Sequence, residues 1–112
     1  MSTPSKRKGS KAELDVVKYL KKEGWKHAER RLAGNSQDRG DVAGVPNVCF
    51  EIKDHKAKDL AGWTEELIVE IKNAKAETGT VVHKRRGKSN PADWYATMPL
   101  SIYVELLKKA GY

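Results

Sequence analysis

The run Val48-Cys49-Phe50-Glu51-Ile52-Lys53 is the segment that most narrows the possible folds. In an extended strand, successive side chains point to opposite faces. Val48, Phe50 and Ile52 therefore share one face, which suits a core. Glu51 and Lys53 share the other, two residues apart. The preceding segment, Asp41 to Val45, also reads as a strand. Pro46-Asn47 is a turn between it and a second strand from Val48 to Asp54. A hairpin-like pairing of the two would bring the Asp41 carboxylate up to that of Glu51.

The flanking segments read as helices and further strands. A helix is expected from Lys11 to Glu23, capped by Ser10 and stopped by Gly24-Trp25. Its apolar stripe is Leu14, Val16, Val17 and Leu20, with Glu13 along or beside it. A short extended piece covers His27 to Leu32, and residues 33–40 form a polar loop. A second helix is expected from Leu60 to Thr78, with Leu60, Trp63, Leu67, Ile71 and Ala74 on one side and Gly79 as its stop. Strands follow at Thr80 to Lys84 and at Ala92 to Met98, separated by a basic loop. Pro99 opens a last helix to Lys109, with Ile102, Tyr103, Leu106 and Leu107 facing inward. This order predicts an α/β fold, a central mixed β-sheet flanked by helices. Residues 1–11, with four basic side chains, read as a flexible basic tail, and residues 12–112 as a single domain.

The balance of residues limits the function classes. The chain has 112 residues, 33% of them charged and 38% hydrophobic, with a formal charge of +7. It is large enough to bury roughly 65% of its unfolded surface. The positive excess favours a polyanionic partner, nucleic acid first among them. Cys49 has no second cysteine to bridge and reads as a small core hydrophobe. No apolar run approaches the ~18 residues of a membrane span, and no apolar stretch follows the basic N-terminus, so a soluble, cytoplasmic protein is expected.

The chemistry centres on Asp41, Glu51 and Lys53. Two neighbouring carboxylates repel, and together they attract a cation. Oxygen ligands select hard ions, Mg²⁺ with Mn²⁺ as its substitute. Such an ion holds a phosphate and acidifies its bound water. An ammonium beside that water orients it or stabilises developing charge. The set suits phosphodiester hydrolysis.

Asp41 followed by Glu51-Ile52-Lys53 resembles the D…(D/E)-x-K signature of the restriction-endonuclease-like nucleases. The wider pattern is similar to that of the archaeal-type Holliday junction resolvases and their phage-encoded relatives. It includes Glu13 in the first helix, Gly24-Trp25, Arg30-Arg31, the polar loop before Asp41 and the Trp94-Tyr95…Met98-Pro99-Leu100 segment. The resemblance implies a restriction-endonuclease-like core. It also implies a metal site of Asp41, Glu51 and the Ile52 carbonyl, with Glu13 contributing directly or through water, and a catalytic Lys53. It implies further a homodimer that resolves four-way DNA junctions in recombination, leaving 5′-phosphate and 3′-hydroxyl ends. One departure is Gly40, which stands where the signature often has proline.

Other readings of the same residues stay open. Glu51 and Lys53 could form a surface ion pair. Glu13 could complete a capping box with Ser10. Asp38 could replace Asp41 as a ligand, but it reads as a turn residue. His55 reads as a surface histidine, and His27 and His83 lack zinc spacing. Arg30, Arg31 and Arg39 flank the polar loop, and Lys84, Arg85, Arg86 and Lys88 cluster in the other. Both groups suit phosphate contacts rather than base readout. Trp25, Trp63, Trp94 and Tyr95 read as structural. Two rival functions remain: another nuclease on the same fold, of nicking, repair or restriction type, or a non-catalytic nucleic-acid-binding protein.

Overall fold

The computed structural model describes residues 3–31 and 38–112. Leu32, the end of the expected extended piece, and residues 33–37 of the polar loop lie outside the described residues. The first helix, α1 (Pro4–Lys22), begins well before Ser10. Thr3 caps it, its hydroxyl accepting from the Lys6 N–H at 3.2 Å, and proline occupies a first-turn position where a missing N–H costs nothing. Residues 4–11 are therefore helical rather than a separate tail, and Ser10 lies inside the helix rather than at its cap. The expected end holds. Trp25 N–H bonds Leu20 O and Gly24 N–H bonds Lys21 O, with Gly24 at φ 118°. This is the glycine-stopped termination that satisfies the last carbonyls.

Among the described residues, five strands and two more helices follow: β1 (Glu29–Arg30), β2 (Val42–Ala43), β3 (Val48–Lys53), α2 (Leu60–Ala74), β4 (Thr78–His83), β5 (Tyr95–Thr97) and α3 (Leu100–Lys109). A single 3₁₀ turn at Pro91–Asp93 takes the start of the segment expected as a strand. The sheet β3-β4-β5 is mixed: β3 and β4 run parallel, β4 and β5 antiparallel. The parallel pair requires a crossover, and α2 is that crossover.

The expected hairpin does not form as a ladder. β2 pairs with β1, antiparallel, in a sheet of its own. Asp41 joins the two sheets: its carbonyl accepts from Arg31 N–H at 2.8 Å, and its N–H donates to Phe50 O at 2.7 Å.

Each face of β3 is covered. On one side, Ala12, Val16, Val17 and Leu20 of α1 pack with Val42, Ile52 and Trp94. Leu14, placed on the stripe by periodicity, is 47% exposed, and Ala12 takes its place. On the other side, Trp63 and Leu67 of α2 pack with Cys49 and Val81. The faces carrying Ile52 and Glu51 are thus both interior, so the charged face of β3 is roofed by a helix.

α2 ends at a lysine, not at Gly79. Lys75 sits in the left-handed region at φ 53°, with Ala76 N–H bonded to Ile71 O and Lys75 N–H to Lys72 O. Gly79 is a β4 residue pressed between its neighbours. A Cβ there would lie 2.8 Å from Cys49 O and 3.0 Å from Leu67 Cδ1.

α3 starts after Pro99 as expected. Ile102, Leu106 and Leu107 are half-buried, whereas Tyr103, expected inward, is exposed, as is Leu100. Trp25, expected to be structural, is also exposed. Trp63 and Trp94 are buried. Among the described residues, no helix is long and apolar enough to cross a membrane.

Candidate active site

Asp41 is held by its backbone between β1 and β3, and its side chain turns toward β3. Its Oδ2 accepts from Ile52 N–H at 2.7 Å, which aims the carboxylate at the outer edge of that strand. The Lys53 carbonyl accepts from Lys84 N–H, on the β4 side. Peptide groups alternate along a strand, so the Ile52 carbonyl leaves toward Asp41 instead. Gly40 just before it has φ 92°, which proline cannot adopt. The residue type at that position follows from the backbone there.

Glu51 and Lys53 project toward α2. Glu51 is 5% exposed. The Lys53 ammonium lies 3.3 Å from Glu66 Oε2 on the helix. Burial pulls the Lys53 ammonium down. The carboxylates of Glu51, Glu66 and Asp41 outweigh it and hold the group above its ordinary value.

Two further carboxyl groups complete the site. Glu70 of α2 is 1% exposed, and among the described residues neither of its carboxylate oxygens has a hydrogen-bond partner. Asp38, just before Asp41, accepts from Gly40 N–H at 3.2 Å, as a turn residue does. Its side chain also faces the helix: ligand atoms of Asp38, Glu51 and Glu70 all lie within 4.8 Å of one another. Reading Asp38 only as a turn former was therefore incomplete. The carboxyl of Asp41 adjoins that of Glu51 but is not one of the three converging acids.

This crowding shifts Asp41, Glu51 and Glu70 the same way. Burial, then the Glu51 carboxyl, pushes Asp41 up to about 8. Burial, then Glu70, does the same to Glu51, also about 8. Glu70 reaches about 8 through burial, with Asp38 adding to it. Taking charge out of water disfavours the ionised form, and a neighbouring carboxylate disfavours it further. Either protons or a cation must neutralise such a cluster. The donors are all hard oxygens, and Glu70 is a buried group with no partner among the described residues. The residues present thus fit a small divalent ion such as Mg²⁺ or Mn²⁺.

Glu13 stands apart. Its Oε1 accepts from Arg30 Nε at 2.5 Å, and Arg30 also donates to Ser10 Oγ at 3.0 Å. The capping box is overturned, because Ser10 and Glu13 both lie within the helix. The Asp41 charge still reaches Glu13. Burial, opposed by Arg30 and reinforced by Asp41, raises its pKa.

The basic residues divide. Arg30 is occupied by Glu13. Arg31 is half-buried, its Nε without a partner among the described residues. Arg39 is exposed. In the second loop, Lys84 lies over the Trp94 ring at 5.6 Å and Arg85 over Tyr95 at 5.8 Å. Trp94 Nε1 donates to Lys88 O at 2.8 Å, which folds the loop back on itself. Lys84 and Arg86 line a cleft of about 260 Å³ with Lys8, Lys56, Asp54 and His55. A neighbouring cleft of about 200 Å³ includes Lys8, Lys56 and Ile52. Cationic groups therefore extend from the β3 edge near Asp41 to the second basic loop.

The signal for Glu70 was present in the chain. Trp63, Leu67, Glu70 and Ala74 follow helical spacing, so a glutamate falls on an otherwise apolar stripe. Comparison with models of protein families, with curated proteins and with solved structures yields no match.

Proposed function

We propose that this protein is a Mg²⁺-dependent endodeoxyribonuclease selective for branched DNA, acting on four-way junctions as a homodimer. The observation that carries the reading is the Asp41 carboxylate, bonded to Ile52 N–H and adjoining Glu51, with Lys53 on the Glu51 face of the strand. Asp41, Glu51 and the Ile52 carbonyl are the groups that would hold the ion, with Glu13 of α1, paired with Arg30 of β1, close enough to feel the Asp41 charge. When bound, the ion supplies a positive charge for the scissile phosphate and a more acidic water.

The chain's own residues do the rest. Lys53 places an ammonium beside the reacting phosphate, where it orients the attacking water and offsets the charge that develops. Release from Glu66 frees it for that role. The basic cleft of Lys8, Lys56, Lys84 and Arg86 attracts the flanking phosphates. Binding should therefore weaken steeply with salt. Water attack in line gives 5′-phosphate and 3′-hydroxyl products. Two cuts on opposing strands need two sites, which is the reason for the dimer. The exposed Leu100, Tyr103 and Val104 of α3 are candidates for its contact.

The test is a gel assay with a synthetic four-way junction and a linear duplex of the same sequence, with Mg²⁺ and with EDTA. Mg²⁺-dependent cutting of the junction in preference to the duplex is expected. Equal cutting of both would make it a general nuclease of the same chemistry. Salt-sensitive binding with no cutting in Mg²⁺ or Mn²⁺ would make it a binding protein.

A further inference from the structure

We propose that Asp38 and Glu70 hold a second divalent cation against Glu51, separate from the position between Asp41 and the Ile52 carbonyl. Glu51 is common to both, so the inference rests on its metal-facing role above. It adds a second ion and two ligands from outside the strand pair.

Two independent observations point there. The first is geometric. Ligand oxygens of Asp38, Glu51 and Glu70 lie within 4.8 Å of one another. Metal–oxygen distances of about 2.0–2.6 Å put ligands on opposite sides of one ion ~4–5 Å apart. These oxygens can therefore surround a single Mg²⁺-, Mn²⁺- or Ca²⁺-sized ion. The second is Glu70 itself. Its side chain is enclosed beneath α2, beside the Leu67 and Cys49 cluster. Among the described residues, both of its oxygens lack partners.

A buried carboxylate needs compensation by hydrogen bonds or charge. Among the described residues, no cation pairs with Glu70: Lys53 lies against Glu66 and Arg30 against Glu13. No backbone N–H can reach Glu70 from within its own helix, because the helix uses them. The loop ligand is also braced. Asn73, three residues along α2 from Glu70, donates from Nδ2 to the Asp38 carbonyl at 2.8 Å. This ties the backbone that carries one ligand to the helix that carries the other.

The experiment counts bound Mn²⁺ by electron paramagnetic resonance and calorimetry, on full-length protein without DNA. Wild type, Asp41→Asn, Glu70→Gln and Asp38→Asn are compared. Wild type should bind two ions. Glu70→Gln should lose one and retain the other. Asp41→Asn should lose the complementary one. Asp38→Asn should weaken the Glu70-dependent ion by more than the roughly 10- to 100-fold that loss of an outer partner costs. Circular dichroism melts verify folding, and Asp38→Asn alters only an exposed side chain. Wild-type ion number and affinity in both Glu70→Gln and Asp38→Asn would overturn the proposal and leave protons as what neutralises Glu70. A single ion, lost equally in Asp41→Asn and Glu70→Gln, would also overturn it. Two ions bound but no DNA cleaved would sink the nuclease reading and leave this site standing.

Discussion

The Ile52 N–H donates to Asp41 Oδ2 at 2.7 Å, while the Asp41 N–H donates to the carbonyl of Phe50, also at 2.7 Å. Asp41 is thus bound to β3 by both main chain and side chain. Its carboxylate is set beside Glu51 without belonging to that strand's ladder. A charged side chain positioned in this way loses little entropy when it engages a ligand.

Removing either central carboxylate should stop the chemistry without stopping binding. Asp41→Asn and Glu51→Gln are expected to lower kcat on a four-way junction by about 10³-fold or more, the equivalent of several kcal/mol of transition-state stabilisation. Band-shift affinity in Ca²⁺ or EDTA should stay close to wild type. Wild-type turnover in both variants would reject the assigned site.

Lys53→Ala separates catalysis from metal binding. Turnover should drop by about 10²-fold or more, while Mn²⁺ affinity is kept or improved, because an adjoining positive charge has gone. Undiminished turnover would make the lysine a mere partner of Glu66. Glu66→Gln gives the converse check: freeing the ammonium should leave turnover intact.

The acidic cluster makes stability depend on pH in a defined direction. Asp41, Glu51 and Glu70 have folded-state values near 8, above the ordinary carboxylate range of the unfolded chain. Between about pH 4 and pH 8 the folded protein therefore holds more protons than the unfolded one. Unfolding free energy falls as pH rises through that window and levels off above it. Added Mg²⁺ should restore stability most at the upper end, where it displaces the fewest protons. Thermal melts across the window, with and without Mg²⁺, measure this. Glu70→Gln should flatten the slope, and an unchanged slope in that variant would count against the assigned cause.

Packing predicts a cost at Gly79. In Gly79→Ala the new methyl would meet Cys49 O at 2.8 Å and Leu67 Cδ1 at 3.0 Å, which is too close without movement of β3 or α2. Overpacking of this kind costs about 1–3 kcal/mol, read as a lower midpoint in urea. Because β3 carries Glu51, the same variant should also weaken Mn²⁺ binding. A neutral change would mean that the strand and helix can part freely.

The amino-acid sequence by itself determined those features that repeat over a few residues. The alternation along Val48 to Lys53 defined β3 and set Glu51 apart from Ile52, and the spacing of Trp63, Leu67 and Ile71 defined α2. Both signals are local, because side-chain direction follows from backbone period alone. The mixed sheet flanked by helices followed from the order of such segments. The tertiary structure decided what depends on distant partners. It paired β2 with β1 instead of β3, ended α2 at Lys75, and pressed β4 so closely that Gly79 serves packing rather than helix termination. It also built the acidic cluster. Asp38 read as a turn former and Glu70 as one helical residue among many. They meet only because the α2 crossover returns the chain over the Glu51 face of β3, and no period within either segment encodes that meeting.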